Sequence, residues 1–177
     1  MIKSEHSGLE YGQYNKLKIM QTAWERKNKR TMKKDRITRA AVLGMIAPLV
    51  GWGVSRLLVT LGFGIFDTFQ IDSIIVTITR PSLLHGFIVN LYAGGLTGVL
   101  LYIFLEKYGS LCIIFKAVGL SALAWFLVEC FATAYFEGKT LPLRPLEDYI
   151  VHVIGAIANG FALGLLFRWF LYRKQKA

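Results

Sequence analysis

Four long apolar stretches fill most of the chain after residue 39 and constrain its fold more than any other feature. They run from about 40 to 61, 82 to 105, 112 to 134 and 149 to 170. The hydrocarbon core of a bilayer is about 30 Å thick and takes about 20 helical residues to cross, a length that each stretch reaches. The sequence therefore predicts an all-α, polytopic membrane protein with four transmembrane helices.

Charge is distributed unevenly along the chain. Residues 1–39 hold eleven Lys/Arg and four Asp/Glu, a net charge of +7, within a formal net charge of +10 for the whole protein. Lys and Arg next to transmembrane helices stay on the cytoplasmic side. We therefore predict a basic cytoplasmic segment at 1–39, a transmembrane domain at 40–170 and a basic cytoplasmic tail at 171–177. The protein is expected in the inner (plasma) membrane, with both termini in the cytoplasm.

The basic segment indicates a lipid partner rather than nucleic acid, because topology alone accounts for most of the positive charge. Each basic residue near the surface gains roughly 1 kcal/mol from anionic lipid. Residues 13–38 contain no Pro or Gly, so they are expected to form a helix on the inner membrane surface or a disordered basic lead. Binding of lipid headgroups is assigned to Lys29, Arg30, Lys33, Lys34, Arg36 and Arg39.

The two halves of the apolar region repeat the same order of residues. Trp52-x-x-x-Arg56 in the first stretch matches Trp125-x-x-x-Glu129 in the third, at an offset of 73 residues. Each half continues with Arg-Pro, a histidine and a small-x-x-x-small motif: Arg80-Pro81, His85, Gly94 and Gly98, then Arg144-Pro145, His152, Gly160 and Gly164. The chain is therefore predicted to form two similar hairpins, either by duplication or because both meet the same constraints.

Four ionisable side chains within or beside the apolar stretches form a candidate intramembrane polar cluster: Arg56, His85, Glu129 and His152. They lie about 9 to 13 Å toward the outer side from the middle of their stretches. A charge at that depth is costly unless it is paired or hydrated. Three interpretations stay open: an Arg56–Glu129 salt bridge that orients two helices, an outward-open pocket with titrating histidines, or an Arg56 that snorkels to the interface.

Two further segments carry structural predictions. Small-x-x-x-small motifs let helix backbones approach closely. Gly94 with Gly98 and Gly160 with Gly164 are therefore expected to pack the second and fourth helices together, or alternatively to form a homodimer. In the first outer loop, the β-branched run at 71–79 predicts a short strand or an interfacial segment.

The sequence contains no motif of a familiar catalytic site: no Walker loop, Gly-x-Ser-x-Gly, His-Glu-x-x-His or Cys-x-x-Cys. His85, His152 and Glu129 have the chemistry of zinc ligands but come from separate helices without a local motif. We therefore predict no enzymatic activity, no metal and no cofactor. The first hypothesis is an accessory or scaffold subunit of a membrane assembly, with other subunits or a second copy as partners. The alternative is a small transporter or channel subunit with an outward-facing Arg/Glu/His site.

The arrangement of residues 38–170 resembles the small YqhR-like membrane proteins of spore-forming bacteria. The resemblance rests on four apolar helices, on Trp52 and Trp125 in the first and third of them, and on the small-x-x-x-small motif in the last. It implies a four-helix membrane fold and no known activity. Arg56 and Glu129 do not belong to that pattern, so the resemblance implies no site residue.

Overall fold

The computed structural model describes residues 5–78, 80–139 and 143–172, and this part of the chain is helical without a β-strand. The helices are α1 (Glu5–Thr60), α2 (Thr68–Thr77), α3 (Leu83–Tyr108), α4 (Ile113–Tyr135) and α5 (Leu146–Leu166), which continues into a π-helical turn at Phe167–Leu171. The chain divides into two compact units, Met1–Ile37 and Thr38–Ala177.

Four segments are long and apolar enough to cross a membrane: Lys34–Thr60, Leu83–Tyr108, Ile113–Tyr135 and Leu146–Leu171. The predicted all-α chain with four apolar helices is therefore confirmed. Large apolar side chains such as Leu96, Phe115 and Phe161 are exposed on the surfaces of these helices. Such a surface suits lipid better than water, so the fold is compatible with an integral membrane protein.

Residues 71–77 of the β-branched run lie in α2 rather than in a strand, so the strand alternative is wrong for them; residue 79 lies outside the described part of the chain. Asp67 caps α2: its carboxylate accepts a hydrogen bond from the Gln70 backbone N–H, and the Gln70 side chain accepts one from the Asp67 N–H. This reciprocal pair satisfies two N–H groups that a helix start otherwise leaves unpaired. Ile71 and Ile74 bury the apolar face of the helix, and this capping and packing outweigh the local β propensity.

The predicted small-residue motifs do bring helices close, but with other partners than expected. A Cβ on Gly98 would collide with the backbone of Ala40 and Gly44, so α3 packs against α1. A Cβ on Gly160 would lie 2.6 Å from the Val118 Cα, and one on Gly164 would lie 2.6 Å from the Ile114 Cα, so α5 packs against α4. The expected contact between the second and fourth apolar helices through these glycines is corrected to α1–α3 and α4–α5.

The basic N-terminal segment is helical as part of α1, which corrects the alternative of a disordered lead for its described residues. Lys34, Arg36 and Arg39 are exposed. The side chains of Lys29, Arg30 and Lys33 lie outside the described part of the structure, as does the C-terminal tail after residue 172.

A central polar cavity as candidate functional site

A cavity of about 130 Å³ lies inside the second unit, between all five helices. We call it the central cavity. Glu129 and His152 lie in one wall, and the other polar residues of the lining are Trp52, Thr68, Asp72, Asn90, Thr97, Ser121, Trp125 and Asn159. The small residues Gly51 and Gly155 hold α1 and α5 close beside it, since a Cβ on Gly51 would lie 2.7 Å from the Gly155 carbonyl oxygen.

Several polar atoms of the central cavity have no hydrogen-bond partner among the described residues. Four of them lie outside the Glu129–His152 contact: Trp52 Nε1 and Trp125 Nε1 are obligate donors, Ser121 Oγ is a hydroxyl and Asn159 Oδ1 is an acceptor. A buried polar atom that makes no hydrogen bond costs about 1–3 kcal/mol. The lining of the cavity is therefore suited to a polar occupant that supplies both donors and acceptors.

Helix α2 forms one wall of the cavity and is fixed by three contacts with α1 and α3. Phe69 stacks on Trp52 of α1 with ring centroids 5.3 Å apart. A Cβ on Gly86 would collide with the Phe69 backbone, so α2 lies directly on α3. The Asn90 amide of α3 also donates a 2.8 Å hydrogen bond to Asp72 Oδ2.

Asp72 is the titratable group of this wall. Burial raises the pKa of its carboxyl to about 6, although the hydrogen bond from Asn90 and the nearby His152 act to lower it. A carboxyl with this pKa changes its charge near neutral pH. The central cavity therefore contains a group whose charge responds to pH.

Both carboxylate oxygens of Glu129 lie within ion-pair distance of a basic side chain. Oε1 lies 2.6 Å from Arg144 Nη2, and Oε2 lies 3.4 Å from His152 Nδ1. The Arg144 side chain is only 1% exposed and that of Glu129 8%.

We call residues 61–82, between α1 and α3, the first loop and residues 136–145, between α4 and α5, the second loop. Arg144 also contacts Glu137 of the second loop and lies over the Tyr149 ring. This buried network closes the end of the cavity at which α1 and α4 end and α3 and α5 begin, which we call the loop end.

His152 and Asp148 of α5 hold the first loop in place. The His152 Nε2–H donates a 2.9 Å hydrogen bond to the Phe66 carbonyl oxygen, which can only accept. Asp148 Oδ1 accepts hydrogen bonds from the backbone N–H groups of Ile65 and Phe66.

The four residues of the predicted polar cluster do not come together in one site. Arg56 donates to Asp67 Oδ2 at 3.2 Å and is 46% exposed, so its expected pairing with Glu129 is replaced by a local one. His85 is exposed and shares a 2.9 Å hydrogen bond with Ser82. Only Glu129 and His152 meet each other at the central cavity. Arg56 and Glu129 do not pair with each other because each finds a residue of opposite charge nearer along the chain, in the loop that follows its helix.

Glu137 of the second loop differs from Asp72 in its electrostatics. Burial acts to raise its pKa, but hydrogen bonds from the Tyr149 hydroxyl and from Arg144 outweigh it, and the pKa of Glu137 is lowered overall. Its charged form is thus stabilised, whereas the charged form of Asp72 is not.

Sequence reasoning missed Asp72, Asp148, Ser121 and the roles of Asp67 and Arg144. A signal for α2 existed, because Asp67-x-x-Gln70 before an apolar run is the pattern of a helix start. An ionisable Asp72 within an otherwise apolar run was a second signal. Ser121 carries no signal of its own, since serine is common in packed membrane helices.

Comparison with known proteins found no matching family model, no matching curated protein and no matching solved structure. The described residues also contain no group of three or more His, Cys, Asp or Glu side chains placed to hold a metal ion. The interpretation of the central cavity therefore rests on its own residues.

Proposed function

We propose that this chain is a four-span membrane protein that binds a small polar solute in the central cavity, as a transporter or channel subunit. The observation that supports it is the set of unpartnered polar atoms on Trp52, Ser121, Trp125 and Asn159, which converge on one cavity within the described bundle. Polar groups inside a membrane domain are costly, and they commonly belong to solute or ion pathways. This favours the transporter alternative over the accessory or scaffold hypothesis.

The orientation follows from charge. Lys/Arg-rich termini favour a cytoplasmic location in the inner membrane, which puts the loop end on the outer side. Residues 61–82 and 136–145 would then both face outward, as the two-hairpin topology requires. The exposed Lys34, Arg36 and Arg39 suit the anionic headgroups of the inner leaflet.

Entry of solutes can be tested by cysteine labelling at Ser121. This residue is 3% exposed and lies on the cavity side of α4, whereas Leu123 on the same helix is 54% exposed on the apolar surface. Cys112 and Cys130 are first replaced by Ala, since both are exposed free thiols. Ser121→Cys and Leu123→Cys are then compared in proteoliposomes treated with a small, charged methanethiosulfonate reagent.

A thiol reacts as its thiolate, which forms in water and not in lipid. We expect Ser121→Cys to react at least ten-fold faster than Leu123→Cys, because aqueous solutes enter the central cavity. Equal, slow labelling of both variants would contradict a solute pathway. That result would favour the accessory or scaffold function instead.

A further inference from the structure

The two carboxylates of the central cavity differ in whether a residue of opposite charge lies beside them. Glu129 has Arg144 and His152 as partners of opposite or potentially opposite charge. Asp72, in contrast, has only the neutral amide of Asn90 as a hydrogen-bond partner among the described residues. Asp72 is half-buried, and a carboxylate that is partly removed from water with only a neutral partner is costly, so a ligand that brings a positive charge would offset that cost.

Two indole rings share the same cavity. Trp52 is held by its stacking on Phe69, and Trp125 approaches from α4. The faces of indole rings attract cations, by about 0.5–2 kcal/mol depending on desolvation. The indole N–H groups and the Ser121 hydroxyl are suited in addition to an oxygen acceptor on the ligand.

The volume of the cavity limits the size of the ligand. At about 130 Å³ it is close to an engineered protein cavity of about 150 Å³ that accepts benzene. A ligand of roughly six or seven non-hydrogen atoms fits such a space.

We propose that the solute of the central cavity is a small organic ammonium ion that carries a hydroxyl or similar oxygen acceptor. Its cationic group lies beside Asp72 and the indole rings, and its oxygen accepts from the indole N–H groups or the Ser121 hydroxyl. This inference rests on the proposed function, because it takes the central cavity as the solute site.

Protons compete with such a cation for Asp72. The charged groups that surround it are Glu129 from α4, His152 from α5 and Asp67 from the start of α2, which is bound to Arg56 of α1. The α3 helix contributes the neutral Asn90. Burial raises the pKa of Asp72 to about 6, so at pH 5 only about one tenth of the carboxyl groups are ionised. Affinity for the cation is therefore expected to fall about ten-fold from pH 7.5 to pH 5.

Choline and 3,3-dimethylbutan-1-ol form a matched pair of probes, because they have nearly the same shape and a hydroxyl but only choline is charged. Their binding to the full-length protein in detergent is measured by titration calorimetry at pH 7.5 and pH 5. We expect choline to bind at least ten-fold more tightly at pH 7.5 and to lose most of this preference at pH 5. Asp72→Asn should remove the preference at both pH values.

Equal affinity for the two probes, or no binding of choline, would overturn the proposal. So would an Asp72→Asn variant that keeps the full preference. If Asp72→Asn does not fold, Trp125→Leu replaces it and should weaken choline by three-fold or more, with little effect on the neutral alcohol. The labelling of Ser121→Cys separates the two levels: rapid labelling without a choline preference rejects the cation and keeps the solute pathway, whereas slow labelling rejects both.

Discussion

The two halves of the chain start from the same sequence pattern and end in different surroundings. Arg56 and Glu129 hold matching positions after Trp52 and Trp125, and each pairs with a loop residue that follows it, Asp67 or Arg144. In the first half the basic partner of the pair is 46% exposed, whereas both partners in the second half are nearly buried.

The loops account for this difference. The first loop is long enough to form α2, which inserts beside the cavity and brings its own carboxylates. The second is short and keeps Arg144 directly over Glu129. His85 and His152 differ in the same way, since one is exposed and the other is 1% exposed. Equivalent sequence positions therefore have a peripheral role in one half and a central one in the other.

The largest effect is expected from Glu129→Gln in the buried pair. This change leaves the Arg144 guanidinium without its closest carboxylate, and loss of one partner of a buried ion pair costs about 3–5 kcal/mol. The free energy of unfolding, measured by SDS titration in mixed micelles, should fall by about that amount. Cys130→Ser, one residue further along α4 and exposed, is the control. A loss below about 1 kcal/mol would mean that the second half is no more dependent on its ion pair than the first.

Alanine substitution of the close-contact glycines should cost more stability in the first half than in the second, the reverse of the order expected for the ion pairs. Gly98→Ala meets three backbone atoms of α1, while Gly164→Ala meets one backbone atom, the Ile114 Cα at 2.6 Å, and two side-chain atoms at 3.2 and 3.3 Å. Overpacking typically costs about 1–3 kcal/mol, with Gly98→Ala expected at the upper end and Gly164→Ala at the lower. Gly119→Ala has no atom within 4 Å and should be neutral or slightly stabilising. The same unfolding titration measures all three, and equal costs would remove this distinction between the helix pairs.

The pH dependence of stability should differ between the two loops. The folded-state pKa of Asp72, about 6, lies above its ordinary value of 3.8. The folded state thus holds a proton that the unfolded state has lost between these values, and stability rises as pH falls from about 7 to about 4. The gain should be about 1–2 kcal/mol, less than the whole shift implies because the carboxyl faces a cavity. In the Asp72→Asn variant, the free energy of unfolding, measured by the same titration at several pH values, should no longer rise between about pH 7 and pH 4.

Glu137 contributes in the other direction. Its pKa is lowered in the folded protein, so its contribution is present above its ordinary value of about 4.5 and is lost as pH falls through the lower folded value. Glu137→Gln should therefore remove part of the acid-induced loss of stability and leave the rise due to Asp72. An unchanged curve in both variants would show that neither loop governs the response to pH.

The smallest effect is expected from Arg56→Gln. Its exposed side chain makes a single 3.2 Å contact with Asp67, and pairs with an exposed partner contribute about 0–1 kcal/mol. Asp67 keeps its role as the N-cap of α2 in this variant. A loss as large as that of Glu129→Gln, in the same titration, would show that the pair of the first half is as central as that of the second.

The apolar stretches could be located from sequence because length and hydropathy follow directly from the thickness of the bilayer. The ion-pair partners of Arg56 and Glu129 could not be predicted from sequence. The two residues have matching depth and opposite charge, yet each pairs with a closer residue of opposite charge in the loop that follows it. Similarly, Gly94 and Gly98 indicate that another helix packs closely against α3, but the motif does not show which helix it is. The cavity depends on residues from five helices at once, and Ser121 becomes informative only when Trp125 and Asn159 are placed around the same space.

The three hydrogen bonds from the first two turns of α5 to the first loop have a mechanical consequence. Asp148 and His152 hold the adjacent peptide groups of Ile65 and Phe66, directly before the cap of α2. A tilt of α5 by more than the length of a hydrogen bond must either break these contacts or carry α2 with it. Because α2 lies directly on α3 at Gly86 and α5 lies directly on α4 at Gly160 and Gly164, these bonds join two closely packed helix pairs, and a displacement of one pair passes to the other through the first loop.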